Sequence, residues 1–422
     1  MGPVIAHPGL RFADHTVTVP LDHRRPGAAS IEVFAREVVA DDRAGDDLPW
    51  LLFLQGGPGG KAPRPLGADG WLARALRTHR VLLLDQRGTG RSTPVTARTV
   101  RGRDDAALAA YLRLFRADSI VADAEILRER VAGGARWDTL GQSYGGFITL
   151  TYLSFAPQAL RTCYITGGLP GLDSTADDVY ALTYPKVAAR NAEFYRAFPG
   201  AAAEVRRIAA HLTEHDVRLP DGDRLTVDRL RLIGTMFGMS TGYAQLHWLL
   251  DEAWHGDELS DTFRQEVWRL TAFCDVPLFA LQECTLGQGD RATAWAADRA
   301  LRRHPRFAPD ADPLLFTGEM MYPWMFREIA ALRPFAGAAE ILAADTGWPP
   351  LYDLDRLAAN DVPVLAAVYA DDMYVPAELS LRTAARVGNL RAWVTDEYQH
   401  DGLRTAGDRV LRHLTEMAAG LR

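Results

Sequence analysis

Two spacings of apolar residues follow one another along the chain. Residues 15–21 alternate around Val17 and Val19, and residues 31–39 alternate again after a polar stretch at 22–29, which predicts an N-terminal hairpin. A charged loop follows at 41–49, and from residue 50 the apolar positions gather into short continuous runs. Trp50-Leu51-Leu52-Phe53-Leu54, Arg80-Val81-Leu82-Leu83-Leu84 and Arg136-Trp137-Asp138-Thr139-Leu140 read as strands, with helix-like segments at 70–77, 119–131 and 147–155. Continuous apolar strands alternating with helices predict a parallel sheet covered on both faces. In such sheets chemistry collects beyond the carboxyl ends of the strands, where the loops after Leu54, Leu84 and Leu140 lie.

After Cys163-Tyr164-Ile165-Thr166-Gly167-Gly168 the pattern becomes mostly helical, with segments expected at 184–198, 225–236 and 261–273. Five of the ten tryptophans fall between residues 173 and 345: Trp248, Trp254, Trp268, Trp295 and Trp324. The strand signal returns at 362–368 and 390–394, and a closing helix is expected at 407–421. The expected organisation is therefore an α/β core at 1–172, an inserted helical domain at 173–350 and the rest of the core at 351–422. Neither an internal repeat nor a low-complexity tract interrupts it.

The candidate chemistry sits at the strand ends. Gly141-Gln142-Ser143-Tyr144-Gly145 lies between a strand and a helix, the setting of a nucleophile elbow, in which crowding leaves room only for glycine beside the serine. A serine hydroxyl needs a base, and histidine titrates close to neutral pH. A carboxylate then orients the imidazole. In the α/β-hydrolase arrangement the chain order is serine, acid, histidine. Here Ser143 is followed by Asp371 and Asp372 and then by His400, each in a loop after an expected strand. Asp372, four residues before Pro376, has the spacing familiar from the acid loop of such enzymes and is preferred to Asp371, whose side chain should point the other way. His413 falls in the closing helix, and His247, His255 and His304 lie in the helical region, so only His400 meets the order requirement. Gly56-Gly57-Pro58-Gly59 can bring a backbone N–H close to a substrate carbonyl. Gly57 is the expected oxyanion donor, paired with the N–H of Tyr144, because proline has none to give.

Composition narrows the partners. The 422 residues are 48% hydrophobic and 24% charged, with a formal net charge of −7, which suits a soluble globular protein and argues against a nucleic-acid surface. Cys163, Cys274 and Cys284 match neither a disulfide framework nor a metal motif and are expected to be reduced core or pocket thiols. No metal, cofactor or membrane partner is expected. Without a visible signal segment or a membrane-length apolar run, the expected compartment is the cytoplasm.

Three segments together resemble the proline iminopeptidase (prolyl aminopeptidase) family of α/β-hydrolases. They are Gly56-Gly57-Pro58-Gly59, Asp85-Gln86-Arg87-Gly88-Thr89-Gly90-Arg91-Ser92 and Gly141-Gln142-Ser143-Tyr144-Gly145-Gly146. Two stretches of the helical region, 278–284 and 315–324, are similar to cap segments of the longer members. The resemblance implies an α/β-hydrolase fold with a mostly parallel sheet and an inserted helical cap. It implies a serine aminopeptidase that releases an N-terminal residue, preferably proline, from small peptides through an acyl-enzyme. It also makes Glu283 and Glu319 the counterparts of cap glutamates that bind the substrate's free amino end. The chain departs from many members in carrying Gln55 where they have histidine before Gly-Gly-Pro-Gly. Asp85 and Arg87 are expected to form a structural ion pair near the site. Two other readings stay open: an esterase, lactonase or amidase acting on a small metabolite, and a hydrolase-like binding protein without activity.

Overall fold

The computed structural model describes residues 5–282 and 287–422. Glu283 and Cys284 thus lie outside the described residues. A nine-stranded sheet in the order β1-β2-β3-β5-β4-β6-β7-β10-β11 organises the chain. The strands are β1 (Ile5–His7), β2 (Leu10–Pro20), β3 (Ser30–Ala40), β4 (Trp50–Leu54), β5 (Arg80–Leu84), β6 (Trp137–Gln142), β7 (Leu160–Thr166), β10 (Val364–Tyr369) and β11 (Leu390–Thr395). A separate short hairpin, β8 (Trp254–His255) with β9 (Glu258–Leu259), lies in the helical region.

The N-terminal hairpin pairs antiparallel over the full length of β2 and β3, with Val17 opposite Val33. β3 then joins β5 antiparallel, placing Val38 against Val81. From β5 to β11 every pairing is parallel. The continuous apolar runs follow from burial on two sides. Leu52, Leu54, Leu82 and Leu84 share a core with α3 (Ala117–Ala132) and α4 (Tyr144–Phe155), the helices that follow α2 (Asp105–Leu112). Their alternate neighbours Leu51, Phe53, Val81 and Leu83 pack on the opposite face with α1 (Gly70–Ala75) and the helix Gly407–Ala418. Period-two alternation within an all-apolar run is what a doubly covered strand requires.

Between β7 and β10 the chain forms a mainly helical insertion. Its longest helix, Ala176–Ala197, starts eight residues before the expected 184–198 segment. Proline removes one hydrogen bond inside a helix but does not by itself end it. A capping box between Thr175 and Asp178 begins the helix earlier, and Pro185 lies inside it. The expected 225–236 helix divides into Val227–Arg231, capped by Thr226, and a tighter 3-10 segment, Leu232–Gly238. The insertion has its own aromatic core, with Phe194 5.1 Å from Phe237 and Phe237 5.6 Å from Phe316 between ring centroids. Met373, Tyr374 and Val375, from the loop after β10, belong to the same core. Among the described residues no helix is long and apolar enough to cross a membrane.

Candidate active site

Ser143 occupies the single position between β6 and α4, at φ 52° and ψ −122°. A non-glycine residue at positive φ is strained, and such strain collects at functional turns. The flanking glycines follow from sterics. A Cβ on Gly145 would overlap the Leu54 carbonyl, and one on Gly141 would overlap the carbonyl of Gly145. The N–H of Ser143 donates to Thr166 at 2.9 Å, tying the turn to the end of β7. Its side chain reaches a cavity at the junction of the sheet and the insertion.

His400 and Asp372 are both buried, and Nδ1 of the imidazole lies 2.6 Å from Oδ2 of the carboxylate. The second oxygen, Oδ1, accepts from the N–H groups of Tyr374 and Val375 at 2.8 and 3.0 Å, which fixes the plane of the carboxylate. Asp371 is exposed, and its carbonyl accepts from Arg190 at 3.0 Å. The ring of Tyr374 meets His400 edge-on, 4.8 Å between centroids. Burial alone would pull the imidazolium down. The charge and hydrogen bond of Asp372, helped by Glu319 and Asp401, outweigh it and hold His400 above its ordinary value. Gly167, directly after Thr166, packs on the histidine: a Cβ there would sit 3.2 Å from Nδ1. The turn after β7 therefore touches both the Ser143 loop and the His400 loop.

The glycine loop after β4 lies against the serine. A Cβ on Gly56 would come within 3.0 Å of the Ser143 Cβ. Gly57 has φ +136°, a conformation favouring glycine, and it lines the same cavity as Ser143 and Tyr144. Gln55, the departure from the histidine pattern, is held through its backbone: the Gln86 side-chain amide donates to its carbonyl at 2.7 Å.

The cavity measures about 130 Å³. Phe147, Tyr180, Tyr352 and Tyr374 supply aromatic walls, and no tryptophan is on its described lining. Glu319 also lines it. Burial raises this carboxyl to about 7, against the opposing pull of His400 and a hydrogen bond from Gln282, with Asp372 adding to the rise. Glu319 itself keeps intermediate exposure. Among the described residues no group of three or more His, Cys, Asp or Glu side chains is placed to hold a metal ion.

Two expectations need correction. Asp85 and Arg87 do not pair with each other. Asp85 binds Arg64 through two bonds of 2.9 and 2.5 Å and accepts from the N–H of Ala62 and Arg91. Arg87 instead reaches Asp123 on α3 and the carbonyls of Pro20, Leu21 and Leu114. A fully buried guanidinium has five donors to satisfy, and one neighbouring carboxylate cannot do so. Cys163 is buried, but Cys274 is exposed in the turn that follows the helix Asp261–Thr271. That turn runs past Phe273, at φ 53°, to Asp275 and leaves the core behind.

Several residues of the site carry no chemical signal in the sequence. Arg190 bonds the carbonyl of Asp371 and the side chain of Gln399, so one guanidinium holds both the acid loop and the histidine loop. Asp401 accepts from the N–H and hydroxyl of Ser240, the latter at 2.6 Å. The N–H of His400 donates to the Gly238 carbonyl at 3.1 Å, and the Tyr374 hydroxyl donates to Thr235. Gln282 stands beside Glu283 in the sequence, and its place on the cavity and its hydrogen bond to Glu319 mark it out.

The α/β-hydrolase fold family model matches residues 49–403. A curated proline iminopeptidase of Aeromonas sobria is 45% identical over 411 residues, covering 97% of this chain and 97% of that protein. A second relative, the proline iminopeptidase aneH of Aspergillus aculeatus, is 33% identical over 418 residues, covering 95% of this chain and 92% of that protein.

Proposed function

The chain belongs to the proline iminopeptidase family of α/β-hydrolases, and from that membership we propose that it is a serine aminopeptidase that releases an N-terminal residue, preferably proline, from small peptides. The observation that carries this reading is one small chamber lined both by Ser143 and by the carboxylate of Glu319. An enzyme that removes one terminal residue must hold an ammonium at a set distance from the scissile carbonyl. Glu319 is the group proposed to do so. An incoming ammonium would draw its raised pKa down and leave it ionised at neutral pH. Glu283 is proposed as its companion on the resemblance alone.

Ser143 Oγ attacks the carbonyl carbon while Nε2 of His400 takes the proton, and Asp372 steadies the imidazolium through Nδ1. The N–H groups of Gly57 and Tyr144 face the oxyanion. Collapse of the tetrahedral intermediate expels the amine, which takes its proton from His400 and leaves an ester on Ser143. Water, deprotonated by the same histidine, releases the free amino acid and restores the serine. The insertion 173–350 acts as a cap that admits short chain ends and excludes folded proteins.

The test compares prolyl-arylamide, N-acetylprolyl-arylamide and a simple aryl ester, with Ser143→Ala as control. Cleavage of the first alone supports the aminopeptidase. Turnover of the acetylated amide or the ester at similar rates favours the esterase or amidase reading. Turnover that Ser143→Ala fails to abolish removes Ser143 from the mechanism.

A further inference from the structure

The chamber around Ser143 is uneven in charge. Among the described residues lining it, Glu319 is the one charged side chain. Asp372 adds a second carboxylate close by, paired with His400. The other polar lining is neutral, including Thr183, Gln282, Gln288 and Thr293. Thr183 and Thr293 are only 5% and 6% exposed, and their hydroxyls have no hydrogen-bond partner among the described residues. A buried hydroxyl in that state suits a neutral carbonyl or amide from a bound molecule. Residues 283–286, Glu-Cys-Thr-Leu by sequence, bring no cation wherever they lie.

A substrate held by its ammonium places the scissile carbonyl at Ser143 and the departing residue next to it. In a free dipeptide the terminal carboxylate lies within one residue of the cleaved bond, a distance of about 3.5 Å. That puts it in the chamber beside Glu319, stripped of water, where the described lining offers neither a guanidinium nor an ammonium to receive it. An amide, an arylamide or a further peptide bond at the same place is neutral and costs far less to strip of water. We propose that the site selects N-terminal prolyl substrates whose departing group is uncharged next to the scissile bond, and discriminates against free dipeptides. This rests on the aminopeptidase reading above and adds the class of leaving group to it.

The experiment measures kcat/KM on the full chain for prolyl-alanine, prolyl-alanine amide and prolyl-alanyl-alanine, compared at equal concentrations of the ammonium form. The amide should exceed the free dipeptide by at least about tenfold. The tripeptide, whose carboxylate is one residue farther out, should fall between them. Equal rates, or a faster free dipeptide, would overturn the inference while leaving the aminopeptidase intact. If none of the three is cleaved while the N-acetylated amide or an aryl ester is, the aminopeptidase reading fails and this inference fails with it.

Discussion

At the scale of single residues, the proposed mechanism assigns unequal parts to adjacent side chains. Asp371 and Asp372 are neighbours in sequence, yet only Asp372 meets His400. Asp372→Asn should lower kcat by roughly four orders of magnitude through the wrong imidazole tautomer, while Asp371→Asn should stay within a few-fold of the parent. Steady-state kinetics on prolyl-arylamide read both. The pH profile follows from the two raised groups. A protonated His400 cannot accept the serine proton, and its pKa lies above the usual value. Activity should therefore be lost on acidification already above pH ~6.5. Glu319, at about 7, would also take up a proton on the acid side and lose the hold on the ammonium proposed for it. The acid limb of kcat/KM should fall with a slope steeper than one proton, and Glu319→Gln should restore a slope of one. That substitution should also cost roughly ten- to a hundredfold in kcat/KM, mostly in KM, as expected for a lost charged hydrogen bond.

At the scale of elements, the strand-to-helix turn and the caps decide where chemistry can sit. The elbow was legible because Gly141 and Gly145 are demanded by backbone carbonyls, and a steric demand of that kind is written directly in residue type. Helix ends were less legible. The helix expected from residue 184 starts at Ala176 instead, where the reciprocal bonds of Thr175 and Asp178 cap it, and it runs on past Pro185. Thr175→Ala should destabilise the protein by about 1 kcal/mol, measurable as a lower urea midpoint at unchanged slope. The 3-10 turn at Leu232–Gly238 also escaped the sequence pattern, because its spacing mimics one longer helix. It matters to the site, since Thr235 and Gly238 supply the carbonyls that hold Tyr374 and His400.

At the scale of the whole molecule, the insertion and the loops that carry Asp372 and His400 are one packed unit. Met373, Tyr374 and Val375 are buried in the insertion's own core, and Arg190 and Ser240 hold the acid and histidine loops by hydrogen bonds. Arg190→Ala should lower kcat by one to two orders of magnitude with a smaller change in KM, and Arg190→Lys should recover part of it. Kinetics of both variants beside their melting curves separate loop positioning from general stability. The shared core also predicts that denaturant removes activity and the tryptophan signal of the insertion in a single coincident transition.

What the sequence determined by itself is local or ordered along the chain. Apolar runs between helical segments fixed a doubly covered parallel sheet, the glycines fixed the sharp turn at Ser143, and chain order alone separated His400 from the other histidines. What the tertiary structure decided depends on which distant groups meet. Asp85 found Arg64 and Arg87 found Asp123, because buried charges take the partners that complete their hydrogen bonds rather than the nearest in sequence. The clamp from Arg190, the neutral threonines and the chamber walls belong to the same category. Each is an ordinary residue by type and acquires its role only from the surroundings that folding builds around it.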